Sequence, residues 1–438
     1  MEKSMTQGSI AKALVLFTIP LVLSGMLQQM FNWVDAFIVG NVEGELALAG
    51  IGATTAIYNL FVMVLTGLTG GLSVLAAQNC GMGDEESLGQ ILWSFVLLLG
   101  AVFLAVAALG MAFVREILLA LDTSVNIFDL SMYYLRILFA GIPFLAVYNT
   151  YSAVLRGMGN SRAPFLAVLV CSGVNVVLDV LLVAVLRWGV TGAAVATVVS
   201  QGVMTVFLMC YTRKRYPILR FRREQLRGST VALGGRFGLP PAIQSGLNSA
   251  GSILLQRFMN GFDDQTVAAI TTAYRIDTML LLPVFNFGSG ISTVVAQNIG
   301  TGNPKRAKQA LGIGTAMIAG ISLGLTLLIL FAGEFLIAIF GLTAESVAIG
   351  GRFFRTLASF YVVFGLATAF RSYLEGLGDM AFSGAVGIFA LGVRIVCSYA
   401  FEERMGRMVI AYAEAFSWAV LLGLYVLRCL WKIKKQKE

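Results

Sequence analysis

Apolar residues along this chain fall in long runs, separated by short polar breaks. Read with a window of about 19 residues, the runs predict twelve spans. Their limits are 14–39, 47–78, 91–113, 132–155, 163–186, 190–211, 233–261, 267–297, 310–340, 352–374, 382–401 and 408–431. A helix that crosses a bilayer needs about 20 apolar residues. The expected fold class is therefore all-α, a polytopic membrane protein with 12 transmembrane helices. Runs longer than about 25 residues call for tilt or kinks. No connecting segment exceeds about 20 residues, too few for a soluble core. Met1–Lys12 is short and polar and shows no small-residue cleavage site, so the first span is expected to act as the insertion signal.

Composition agrees with lipid as the solvent. Of the 438 residues, 58% are hydrophobic and 12% charged, where soluble domains carry about 25% charged residues. The net charge of +8 is distributed as a topology signal. With the N-terminus inside, the inward segments hold nineteen lysines and arginines and the outward segments five. That bias places both termini in the cytoplasm of a cell-membrane protein. Basic clusters beside spans set topology and meet anionic lipid, which argues against nucleic acid as a partner. Histidine is absent, which removes the usual proton shuttle near neutral pH. Proton chemistry would fall to carboxylates. The five cysteines form no CxxC pair and read as packing residues.

The chain repeats itself. Gln78-Asn79-Cys80-Gly81-Met82-Gly83 returns as Gln297-Asn298-Ile299-Gly300-Thr301-Gly302, 219 residues later. Leu155-Arg156-Gly157-Met158-Gly159 returns as Leu374-Glu375-Gly376-Leu377-Gly378 at the same offset, and so do Arg136 and Arg355. Six spans per half is an even number, so the repeats are parallel. The expected domains are an N-terminal six-helix lobe (1–211), a basic cytoplasmic linker (212–232) and a C-terminal six-helix lobe (233–438). The repeated glycines fit helix C-termini and close backbone approach. Gly376-Leu377-Gly378-Asp379 matches the GxGD pattern of intramembrane aspartyl proteases, but the repeat mate of Asp379 is Asn160. A shared-proton dyad is not expected from a duplicated loop. No HExxH or Walker-type motif is present, so the chain reads as no enzyme and an ion gradient would drive any transport.

Residues present in only one half are better candidates for chemistry, because ionisable groups inside a bilayer are costly. In the first half these are Asp35 and Asp179. Asp179 and Thr197 each lie about seven residues below the outer end of their spans, ~10 Å deep. Asn175 precedes Asp179 by four residues and shares its helix face. Two carboxylates, an amide and a hydroxyl at one level suit Na⁺. They equally suit H⁺, since repulsion and desolvation disfavour two neighbouring charges. Their positions in the second half hold Leu254, Arg394, Ser398 and Phe416. Pro20 is a candidate hinge fifteen residues before Asp35. In the second half Arg257, Arg275, Asp277, Arg394 and Glu414 are expected to form a charge network, either structural or for an anion. Met26, Met30, Tyr58, Met63 and Phe285 are candidates for an adaptable apolar cavity.

Taken together the motifs resemble the multidrug and toxic compound extrusion (MATE) transporters, of the bacterial and archaeal DinF-like type. The resemblance spans about Ser9 to Trp431. It rests on Pro20, on Gln28-Gln29-Met30-Phe31-Asn32-Trp33-Val34-Asp35 followed by Val39-Gly40, and on Gln78-Asn79-Cys80-Gly81. Tyr134-Leu135-Arg136-Ile137, the paired LxGxG loops and Asn175-Val176-Val177-Leu178-Asp179 add to it. It implies two pseudo-symmetric six-helix bundles in a V around a central cavity. It also implies antiport of organic cations and other amphipathic drugs against H⁺ or Na⁺. Asp35, Asn175, Asp179 and Thr197 match the cation site of that branch, and Pro20 falls where its first helix bends. No cofactor is expected beyond the coupling ion, and no metal beyond Na⁺. The expected partners are small-molecule substrates and membrane lipids, and the protein is expected to be a monomer. The alternative is a lipid-linked oligosaccharide flippase of the same superfamily, which would need a cationic cavity drawn from Arg257, Arg275 and Arg394.

Overall fold

The computed structural model describes residues 5–222 and 226–435. Lys3, Arg223 and Lys437 of the charge count, and residues 223–225 of the expected linker, lie outside the described residues. The described residues fold into helices with no strand among them. The first six main helices are α1 (Ile10–Glu43), α2 (Glu45–Met82), α3 (Glu85–Ala120), α4 (Val125–Gly157), α5 (Arg162–Asp179) and α6 (Gly189–Arg215). Next come α7 (Gly228–Met259), α8 (Asp264–Leu280), α9 (Leu282–Gly300), α10 (Pro304–Ala338), α11 (Ala344–Ala358) and α12 (Tyr361–Gly376). The series ends with α13 (Met380–Ala400), the short α14 (Glu402–Met405) and α15 (Val409–Lys435).

Element boundaries repeat at the sequence offset. α2 and α8 start at Glu45 and Asp264, α3 and α10 at Glu85 and Pro304, and α4 and α11 at Val125 and Ala344. Each pair is 219 residues apart. Packing repeats as well. α4 packs on α2, α3 and α6, and α12 packs on α9, α10 and α15. The halves differ where the second breaks its helices. The span that is continuous as α2 is interrupted at Leu281, one residue before Leu282-Pro283. The counterpart of α4 bends by 44° between α11 and α12.

Ten helical segments among the described residues are long and apolar enough to cross a membrane, or eleven when α11 and α12 count as one. The remaining member of the expected twelve is α7. Its glycines, serines and amides, together with Arg236 and Arg257, dilute its apolar character.

By internal contacts the chain forms two units. The N-terminal unit holds residues 19–222 and 226–238, and the C-terminal unit holds 5–18 and 239–435. The topological halves therefore exchange helix ends. Within α1 the boundary falls beside Pro20, and within α7 beside Pro240 and Pro241. In the C-terminal unit the N-terminal segment is held by the repeated amides. Gln297 Oε1 accepts from the Met5 amide (3.1 Å), and Asn298 Nδ2 donates to the Met5 carbonyl (3.3 Å).

The repeated glycines have two jobs. Gly83, Gly159, Gly302 and Gly378 have φ of 73°, 89°, 72° and 84°, the left-handed region that terminates a helix without Cβ strain. Gly157 and Gly376 serve packing instead. A Cβ on Gly157 would lie 2.6 Å from the Ser73 carbonyl oxygen, and one on Gly376 would lie 2.8 Å from that of Ser292. Asp379, the aspartate of the GxGD match, is bound by Arg428 (2.8 Å) and Lys432 (3.3 Å). It is an ion-pair anchor for α15.

Candidate cation-coupling site

All four residues expected to bind the coupling ion lie in the N-terminal unit and are buried. Their relative exposures are 7% for Asp35, 1% for Asn175, 0% for Asp179 and 9% for Thr197. Asn175 and Asp179 occupy the last turn of α5, on one face by their spacing of four. Directly after Asp179 the α-helix widens into a π-helical segment, Val180–Val185. Such segments are rare and concentrate at functional sites. Here it follows the residue with the most buried carboxylate of the set.

The walls are apolar. Val39, Ala47, Leu138, Val183, Val190, Ala193 and Ala194 form a buried cluster with Tyr134. Behind them Gln201 Nε2 donates to Tyr58 Oη (2.9 Å).

The oxygens are without protein donors. Oδ1 of Asp35, both carboxylate oxygens of Asp179 and both amide polar atoms of Asn175 have no hydrogen-bond partner among the described residues. Buried polar groups are nearly always paired, and a buried unpaired carboxylate costs several kcal/mol. Two such groups gain most from a small cation. No cluster of three or more His, Cys, Asp or Glu exists among the described residues. The donor set of carboxylate, amide and hydroxyl oxygens is hard. It fits H⁺ or Na⁺ far better than a transition metal.

Sequence reasoning passed over Tyr134, Gln201 and the π segment. Gln201 stands four residues after Thr197, a spacing that puts both on one face of α6. Tyr134 is part of the Tyr134-Leu135-Arg136-Ile137 motif but carried no assigned role. Of the cavity candidates, Met26, Met30 and Met63 are exposed on α1 and α2, and Phe285 is exposed on α9 against Phe364. Tyr58 instead packs against the buried cores and is tied to Gln201.

The charge network of the second half is smaller than expected. Arg394 Nη2 donates to Glu414 Oε2 (2.9 Å) and to Tyr274 Oη (2.9 Å). Tyr274 Oη donates to Glu414 Oε2 (2.7 Å), and the Tyr361 hydroxyl donates to Asp277. Arg257 and Arg275 are exposed and stand outside this cluster. The expected excess of cations is thus reversed: of the two buried acids, Glu414 is met by Arg394 and Asp277 only by a tyrosine hydroxyl. The two exposed arginines look like Arg394 in sequence, because helix facing depends on which neighbour packs there.

The MatE family model matches the chain twice, over residues 20–181 and 240–400. The chain belongs to the MatE family. The two matched segments are the two repeats. Among relatives, "Probable multidrug resistance protein YpnP" of Bacillus subtilis (strain 168) is 29% identical over 378 residues, covering 86% of this chain and 84% of that protein. "Probable multidrug resistance protein YoeA" of the same organism is 29% identical over 449 residues, covering 98% and 96%. The solved structure of a MOP superfamily transporter from Pyrococcus furiosus shares the fold with a TM-score of 0.92. Its identity is 22%, and the match covers 100% of this chain and 99% of that one. This MatE chain is thus a multi-span membrane transporter and not an enzyme.

Proposed function

We propose that this MatE protein is a secondary active antiporter. It exports organic cations and other amphipathic drugs in exchange for H⁺ or Na⁺ by alternating access. The observation that carries the reading is the set of buried, donor-free oxygens of Asp35, Asn175 and Asp179. Such a set is stable only when a cation or proton joins it. Thr197 completes the site. The names of the Bacillus relatives support drugs as substrates.

Loading the ion neutralises the site and bends α1 near Pro20, where the boundary between contact units crosses the helix. The lobes 1–211 and 233–438, joined by 212–232, alternate around that hinge. Met26, Met30 and Met63 supply polarizable contacts for varied substrates within the N-terminal unit. Both termini face the cytoplasm of the cell membrane, and the protein works as a monomer among anionic lipids.

The flippase alternative asks Arg257, Arg275 and Arg394 to form one cationic surface. Arg394 is paired with Glu414, which weighs against it.

The test is ethidium efflux from proteoliposomes, driven in turn by a pH step and a Na⁺ step, with Asp35→Asn and Asp179→Asn beside wild type. Efflux under one gradient, lost in both variants, is the expected result. Wild-type efflux in Asp179→Asn would refute the coupling site.

A further inference from the structure

The offset of 219 sets two residues of the C-terminal cluster against polar residues of the first half. Asn175 on α5 corresponds to Arg394 on α13, and Tyr58 on α2 corresponds to Asp277 on α8. The C-terminal cluster therefore shares one position with the N-terminal site, that of Asn175, and one with the Tyr58–Gln201 pair, with different content. In the N-terminal unit Oδ1 of Asp35 and both carboxylate oxygens of Asp179 meet no donor among the described residues. In the C-terminal unit the guanidinium of Arg394 reaches the Glu414 carboxylate and the Tyr274 hydroxyl, each at 2.9 Å. Its Cζ also lies 5.8 Å from the centroid of the Tyr274 ring, within cation–π range. Asp277 takes its hydrogen bond from Tyr361. Asp277 and Glu414 are as buried as Asp35, at 7% and 8% relative exposure.

We infer that the C-terminal cluster is a monovalent-cation site filled by the chain's own guanidinium. Arg394 is the permanent occupant of a pocket built from Glu414, Tyr274 and the neighbouring Asp277–Tyr361 pair. A tethered cation cannot leave, so this unit stays in one charge state throughout a cycle. Removing the side chain opens a site for a free cation of guanidinium type. Glu414 is its carboxylate anchor, and the Tyr274 ring and hydroxyl supply one wall. Na⁺ is a poorer occupant, because a planar donor fork matches the carboxylate and the aromatic face and a spherical ion does not. The inference uses the proposed coupling site as its comparison only, and its readout is stability. Its failure is therefore distinguishable from retained efflux in Asp179→Asn.

The test is thermal unfolding of the full-length protein in detergent. Wild type, Arg394→Ala and Arg394→Ala/Glu414→Gln are compared with millimolar guanidinium or propylguanidinium chloride, and with sodium chloride as the ionic-strength control. The expected result is a lowered Tm for Arg394→Ala. The guanidinium compounds then raise it by about 2–4 °C, sodium chloride raises it less, and neither wild type nor the double variant shifts. Equal shifts with sodium chloride, a shift in wild type, or a shift that survives Glu414→Gln would overturn the inference. So would the absence of any shift in Arg394→Ala. If Arg394→Ala alone is not recovered from membranes, recovery of the double variant supports an electrostatic vacancy at Glu414, and failure to recover it overturns the inference.

Discussion

Two polar clusters share the equivalent helix pairs α5/α13 and α6/α15 of a duplicated chain, and they differ in how their charges are met. The N-terminal cluster buries Asp35 and Asp179 with no donor for Oδ1 of Asp35 or for either oxygen of Asp179. The C-terminal cluster buries Asp277 and Glu414 but gives one a tyrosine and the other a tyrosine and an arginine. Burial alone does not make an ion site, because the acids of both clusters are buried. What separates them is the unmet demand for positive charge. A cluster that supplies its own cation is structural by default, since breaking it exposes an unpaired buried charge. A cluster that lacks one is the place where the proposed coupling ion would be needed.

Four perturbations sharpen the comparison. The largest effect is expected on transport. Asp179→Asn should cut ion-driven ethidium efflux by at least ~100-fold, an effect of about 2.7 kcal/mol on ion binding. Its stability should hold or rise, because a charge without a donor has been removed. The C-terminal cluster should respond in the opposite sense. Glu414→Ala leaves Arg394 buried without its counterion and should destabilise the protein by about 3–5 kcal/mol. This would appear as a lowered Tm in detergent, where Asp179→Asn shows none.

The architecture shared by both halves should respond equally. Gly157→Ala and Gly376→Ala each push a methyl group toward a backbone carbonyl, at 2.6 and 2.8 Å. Each should cost about 1–3 kcal/mol, and a large inequality would show that the repeats pack differently. The smallest effect concerns helix caps. Asp84 caps α3 by accepting from the Ser87 amide (2.9 Å) and hydroxyl (2.6 Å), and these bonds hold its carboxyl below the usual range. The equivalent cap of α10 is Asn303, which accepts from the Arg306 amide (3.1 Å). Replacing either with Ala should cost about 1 kcal/mol. A carboxylate whose folded pKa is depressed stabilises above its unfolded pKa and loses that contribution as pH falls through the folded value. Only the Asp84→Ala penalty should therefore fade in acid, while that of Asn303→Ala stays constant. Tm measured across pH for both variants would check this.

Much of the fold was legible because apolar runs and a constant offset are properties of the chain itself. The pairs Gln78-Asn79 with Gln297-Asn298, and Gly157 with Gly376, gave the duplication before any coordinates. The helix interruptions were harder to read. Pro283 stands two residues after the break at Leu281, whereas the bend at Ser359-Phe360 has no proline and falls where α11 packs on α8 and α12 on α9, both against α10. Asp35, Asn175, Asp179 and Thr197 could be picked out from charge, depth and i,i+4 spacing. The π segment after Asp179 could not, since Val180–Val185 reads as an ordinary apolar turn. Nor could the split between Arg394 and the exposed pair Arg257 and Arg275. All three are single arginines in apolar helices, and only tertiary packing decides which one meets an acid.

The central claim is that the N-terminal cluster takes up the coupling ion and the C-terminal cluster does not. Ion binding to purified protein tests it most directly. Equilibrium uptake of radioactive sodium, or proton release on adding ethidium in weakly buffered detergent, would be measured for wild type, Asp179→Asn and Arg394→Lys. The account predicts saturable ion binding in wild type and in Arg394→Lys, and none in Asp179→Asn. Ion binding that persists in Asp179→Asn would contradict it.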